Sequence, residues 1–154
     1  MIDHLRRMFS YNNWANQQVL SALEALGSPP AQALKLLAHI VAAERLWLER
    51  LQSQPQTFPV WPEFSLPECK RETDRLHQLW PRYLSTLAEP GLAAEIDYKN
   101  TRGENWSNTR GDILEHVIIH SAHHRGQIVA LIRATGNVPP TLDFIHAVRQ
   151  GFVK

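Results

Sequence analysis

Four long segments with apolar residues at three- and four-residue intervals constrain the fold of this chain more than any other feature. Such intervals place the apolar side chains on one face of a helix and therefore predict amphipathic α-helices. The segments span residues 2–26, 31–51, 66–88 and 112–135, and turn-forming Gly or Pro residues follow each of them. The 154 residues suit a single domain. We therefore expect an all-α four-helix bundle covering residues 1–154.

Two connections and a proline modify this simple pattern. Residues 52–65 form a long crossover in which prolines exclude a regular helix, and its aromatic residues predict that it docks on the body, where it either covers a site or acts as a structural connection. Alternation of apolar and polar residues over 95–107 indicates a short β-hairpin or extended excursion before the last long helix. Pro81 should kink or split the third helix near Gln78. Residues 141–150 are expected to form a last short helix.

Charge and cysteine content exclude several classes of function. The formal net charge is +1, so there is no electrostatic reason to expect binding to nucleic acid or to an anionic membrane surface. Cys69 is the single cysteine, which excludes an intrachain disulfide and fits a reducing compartment. No apolar run is long enough for a membrane span, and charges stand where a signal peptide needs its apolar core. We therefore expect a cytoplasmic protein.

The last long helix contains four of the chain's eight histidines. With about 100° of rotation per residue, His120 and His124 fall on or beside the apolar stripe of this helix. His116 lies near the edge of the stripe and His123 on the polar side. Because residues four apart share a helix face, His120 and His124 can bind one metal ion together. The alternative is that they are hydrogen-bonded histidines of the core.

Polar residues on the first two helices offer further candidates. His39 lies at one margin of the apolar stripe of the second helix, and its position alone predicts a boundary residue. Glu44 cannot chelate a metal together with His39, because five residues rotate it onto another face. Asparagine is a poor helix former, so the segment Tyr11–Asn16 is unusual within a helix. Either Tyr11 or Asn12 points into a polar pocket, or the segment is an exposed polar face.

The order and spacing of these motifs resemble the DinB/YfiT-like family of metalloenzymes over nearly the whole chain. The matching stretches are Tyr11–Asn16, Leu37–Leu48, Asn100–Asn108, His116–Gln127 and Pro139–Phe144. The resemblance implies a three-histidine metal site that consists of His39, His120 and His124. Three imidazoles suit zinc or nickel, and three protein ligands leave a coordination position open, as in catalytic sites.

The resemblance also implies a class of reaction. Characterised relatives include thiol transferases and isomerases, so we expect a small-molecule substrate and a low-molecular-weight thiol cosubstrate, with Tyr11 and Asn12 orienting the metal-bound ligand. A metal-dependent hydrolase, a non-catalytic metal-binding stress-response protein and a plain structural bundle are the alternatives. Glu44 and Glu104 are candidate general bases. Family members commonly pair, and the second helix has a wide apolar face, so we expect a homodimer.

Overall fold

The computed structural model describes residues 1–153, which are mostly helical with one small antiparallel sheet. The long helices are α1 (Ile2–Ala25), α2 (Ala31–Leu51), α3 (Leu66–Ser85) and α4 (Arg110–Ala134). A 3₁₀-helix (Glu89–Ala93) and two strands, β1 (Glu95–Lys99) and β2 (Asn105–Thr109), separate α3 from α4, and α5 (Phe144–Arg149) follows. Within these residues, no helix combines the length and apolar character that crossing a membrane requires.

The four long helices pack in a ring around a shared apolar core. Helices α1 and α2 each contact both α3 and α4, while α1 and α2 contact each other only slightly. The predictions of a mostly helical chain and of a hairpin before the last long helix are confirmed. The four-helix bundle itself stays an interpretation of this packing. The packing brings α4 against α2, and this pair of helices carries the candidate metal ligands.

Helix α2 is covered by the rest of the chain beyond its first turn. No residue from Leu36 to Arg50 is exposed. Its wide apolar face is explained by packing within one chain, against α3, α4 and β1. That face consequently gives no argument for a homodimer, contrary to the reasoning from sequence.

Helix α3 begins at a capping box and continues past its internal proline. The carboxylate of Glu68 accepts a hydrogen bond from the backbone N–H of Ser65 at 2.7 Å, which satisfies one of the free donors at the helix start. Pro81 does not split the helix, which runs on to Ser85. Of the two predicted outcomes, the split is therefore wrong, and a kink near Gln78 stays a prediction. Loss of one backbone hydrogen bond near the helix end is offset by the packing of buried Trp80 and Tyr83.

The β-hairpin docks on α2. Its strands pair in register from Glu95 with Thr109 to Lys99 with Asn105, and Gly103 supplies the positive φ of +79° that the turn needs. Tyr98 packs edge-on against Trp47 of α2 with 5.0 Å between ring centroids. The hairpin therefore forms a wall beside the histidine-bearing part of α2.

Candidate metal centre

Three histidine side chains converge where α2 meets α4. His39 comes from α2, and His120 and His124 come from successive turns of α4. One ring nitrogen from each of the three lies within 4.8 Å of the other two. The Nε2 atoms of His39 and His120 are 3.0 Å apart. Two nitrogens on one tetrahedral zinc stand roughly 3.4 Å apart, so small shifts are enough to place these two around an ion.

Hydrogen bonds orient two of the three imidazole rings. Nδ1 of His39 lies 2.8 Å from the carbonyl oxygen of Val60, and Nδ1 of His124 lies 2.6 Å from Oε1 of Gln127. The carbonyl of Val60 can only accept, so Nδ1 of His39 carries the proton, and with Oε1 of Gln127 facing the ring, Nδ1 of His124 carries it as well. This tautomer leaves Nε2 unprotonated in both rings, and metal-ligating histidines are held in this way. The donor set and its tautomers therefore fit a divalent metal ion.

The protonation state of the cluster also suits ligation. Burial lowers the pKa of His39, the hydrogen bond to the carbonyl of Val60 partly opposes this shift, and the nearby His124 adds to it. Burial, as the largest cause, and the neighbouring histidines together lower the pKa of His120 to about 3. Both rings are therefore neutral at pH 7, and neutral imidazole is the form that binds a metal.

The long crossover after α2 covers the cluster. Trp61 stacks on His39 with 3.6 Å between ring centroids and an interplanar angle of 6°. Together with the carbonyl of Val60, this contact explains why His39 is only 5% exposed. The prediction that His39 is a boundary residue was wrong, because its position around one helix does not show whether a distant loop covers it. The prediction that the crossover covers a site is consistent with this packing.

A cavity of about 330 Å³ opens beside the cluster. His39 and His120 form part of its wall, and other residues of α2, the hairpin and Val60 of the crossover supply the rest. His116 lies next to His120 but packs against Trp47, and exposed His123 packs against His124. Neither belongs to the three-histidine group. Sequence reasoning had also set these two histidines apart from His120 and His124.

A buried polar network ties the ligand-bearing helices to α1. Oε1 of Glu44 accepts hydrogen bonds from Asn12 at 2.7 Å, Asn16 at 2.8 Å and Ser121 at 2.8 Å. Arg125 donates to the side-chain oxygens of Asn12 and Asn16 at 2.6 and 2.7 Å. Ser121 and Arg125 directly follow His120 and His124 in sequence. The network therefore links the backbone of α4 at both ligands to α2.

The structure does not bring Tyr11 and Asn12 into the cavity beside the histidines. The hydroxyl of Tyr11 donates to the carbonyl of Leu142 at 2.7 Å, and its ring lines a separate cavity near the C-terminal loop. Asn12 is fully buried in the polar network. That Tyr11 and Asn12 orient a substrate stays a prediction. If Tyr11 has this role, Tyr11→Phe should reduce turnover and leave metal content unchanged. Glu104 is exposed and bonded to Asn100 in the hairpin turn.

Three participants in the site escaped sequence reasoning. Gln127 stands three residues after His124, and because this spacing permits contact on a helix, the sequence could have indicated its role. The sequence could not have indicated the carbonyl of Val60 or the stacked ring of Trp61, because their contacts depend on how the crossover folds back. The partners of Glu44 are equally tertiary, since they come from two other helices.

Fold and site together define a mostly helical protein whose three-histidine cluster can hold a metal ion. The sequence profile of the DinB family matches residues 1–150, so the chain belongs to the DinB family. It is similar to Protein DinB of Bacillus subtilis (strain 168), with 23% identity over 160 residues that cover 94% of this chain and 93% of the relative.

Proposed function

We propose that this protein is a metal-dependent enzyme that acts on a small molecule at the three-histidine site. The observation that carries the proposal is the convergence of His39, His120 and His124 beside an open cavity. Closed structural sites use four protein ligands, whereas three ligands and an adjoining space suit binding and turnover of a substrate. Zinc and nickel are the ions that three neutral imidazoles favour.

The chain's own residues supply orientation and shelter. The carbonyl of Val60 and the side chain of Gln127 hold two imidazoles in the ligating tautomer, and Trp61 keeps water from one face of His39. A divalent ion held there supplies Lewis acidity, which lowers the pKa of a coordinated thiol or water. The ring of His120 forms part of the cavity wall, where a substrate can reach it.

A small thiol is the nucleophile that best fits these surroundings. Among the described residues that line the cavity, there is no aspartate or glutamate to act as a general base. Glu44, one candidate base, already accepts three hydrogen bonds in the buried network. A thiol ionises more readily than water, so thiol transfer needs less help from a base than hydrolysis does. We therefore favour a thiol-dependent transferase over a hydrolase.

Turnover of small thiols with varied electrophiles tests the proposal. Metal-loaded protein should catalyse the transfer, whereas chelated protein and the His120→Ala variant should not. His123→Ala is the matched control, because it removes a neighbouring exposed histidine of the same helix. If no thiol is consumed and chelation changes only stability, the chain is a non-catalytic metal-binding protein.

The homodimer stays a prediction. Since α2 is already covered within one chain, pairing would have to use another surface. Sedimentation at micromolar concentration measures the mass, and a species with only the monomer mass would count against pairing.

A further inference from the structure

The cavity beside the histidines contains a fixed positive charge that metal binding does not explain. Its wall includes Arg50 together with three aromatic side chains, Trp47, Tyr98 and Trp106. Trp106 stands directly opposite Tyr98 in the hairpin, so both rings lie on the same face of the sheet. At about 330 Å³, the cavity is at the lower end of the roughly 300–1,000 Å³ typical of ligand pockets, and it suits a small molecule.

The Arg50 guanidinium is held in one orientation. Its central carbon lies 4.5 Å from the ring centroid of Trp47 and 4.7 Å from that of Tyr98. Nη2 donates a hydrogen bond to the carbonyl of Lys99 at 2.8 Å. Within residues 1–153 this is the side chain's one hydrogen bond to protein, so further N–H donors remain available. A planar, preorganised guanidinium favours a carboxylate, because it can donate two parallel hydrogen bonds.

The charge of Arg50 is not neutralised by a neighbouring acid. None of the salt bridges in the described part of the chain includes Arg50, and none of the described residues that line the cavity is acidic. The cavity is therefore positive as well as aromatic, and an anionic ligand would relieve this imbalance.

We propose that the cavity binds a small carboxylate with a planar, apolar body. Arg50 binds the carboxylate, while Trp47, Tyr98 and Trp106 contact the body. The opposite end of the molecule then lies at the wall formed by His39 and His120. This assignment names the substrate class for the proposed function and rests on it for the reaction, although the binding step uses residues outside the metal cluster.

Binding of benzoate and of its neutral analogue benzamide to metal-free protein at pH 8 tests the assignment. Shifts of the indole N–H signals of the ¹⁵N-labelled protein report the affinity of each. Wild-type protein should bind benzoate at least about tenfold more tightly than benzamide, as a charge-assisted pair predicts. Arg50→Gln should remove this preference, and Arg50→Lys should keep part of it. Arg71→Gln, a change at an exposed arginine of α3, should keep all of it.

Comparing two probes separates charge from damage to the fold. If Arg50→Gln merely loosens the hairpin, both probes bind more weakly and the preference survives, which would overturn the proposal. Equal binding of the two probes by wild-type protein would overturn it as well. If the protein prefers benzoate over benzamide but does not bind zinc, the anion site is supported and the proposed metal-dependent function is refuted. If the protein binds zinc but shows no preference for benzoate, the anion site alone is refuted.

Discussion

Replacing Gln127 with alanine should weaken zinc binding without unfolding the protein. Oε1 of Gln127 accepts the Nδ1 proton of His124 at 2.6 Å, which leaves Nε2 free to bind the ion. Gln127 is exposed on α4, so its truncation creates no cavity in the core. The variant therefore tests ring orientation separately from fold stability.

The expected magnitude follows from how this hydrogen bond is exposed. Loss of a partner that orients a ligating histidine typically lowers metal affinity about 10- to 100-fold. Water can reach the exposed position of Gln127 and replace it as an acceptor, which reduces the effect. We expect a loss at the lower end, about tenfold or about 1.4 kcal/mol.

Competition with a chromophoric zinc chelator at pH 7.5 measures this change. Gln127→Glu should bind zinc at least as tightly as wild type, because a carboxylate is a stronger acceptor for the same proton. Gln78→Ala, at an exposed glutamine of α3, is the matched control. Wild-type affinity in the single Gln127→Ala variant would refute the orienting role.

Three further predictions concern the metal-free protein. Its stability should fall as the pH drops below about 6.5, because burial lowers the pKa of His120 to about 3 and the unfolded chain takes up a proton that the folded chain does not. Urea unfolding at pH 7.5 and pH 5 should show a smaller loss for His120→Ala. Cys69 should react with a thiol reagent at pH 8 only after unfolding, since burial raises its pKa to about 12. Glu44→Ala should destabilise the fold by about 3–5 kcal/mol, because it leaves Arg125 buried without its counter-charge, and adding Arg125→Met should restore part of that loss.

Each of these three predictions has a control variant or an outcome that would contradict it. His77→Ala, at an exposed histidine of α3, should leave the pH dependence unchanged, and an equal change in both histidine variants would refute the assignment to His120. Rapid labelling of Cys69 in native protein would show that α3 opens readily. Glu24→Gln, at an exposed position of α1, should cost little, and a similarly small cost for Glu44→Ala would exclude a strong role for the network.

The parts of the fold that depend on local sequence were predictable. The bounds of α2 agree with the prediction, since its apolar pattern starts after Pro30 and ends before a proline-rich crossover. His120 and His124 could be selected because four residues on one helix fix their relation. The end of α3 came three residues earlier than its apolar pattern indicated, because the pattern does not show where the chain turns into the 3₁₀-helix.

The parts that depend on contacts between distant segments were not predictable. His39 required the family resemblance, because its burial comes from Trp61 and from α4 rather than from α2 itself. Arg50 lies on the second helix, and although a hairpin was expected before the last long helix, its packing against Arg50 could not be predicted from the sequence. Tyr11 lies on α1 as expected, but its hydroxyl contacts the C-terminal loop. The apolar pattern of the helix did not show in which direction this side chain points.

Metal stoichiometry of tag-free protein tests the central claim most directly. Elemental analysis after equilibration with zinc should find one ion per chain in the wild type and in His123→Ala. It should find almost none in His39→Ala, His120→Ala and His124→Ala, provided that each remains folded by far-UV circular dichroism. Retention of zinc in all three folded variants, or equal loss in His123→Ala, would contradict the three-histidine centre.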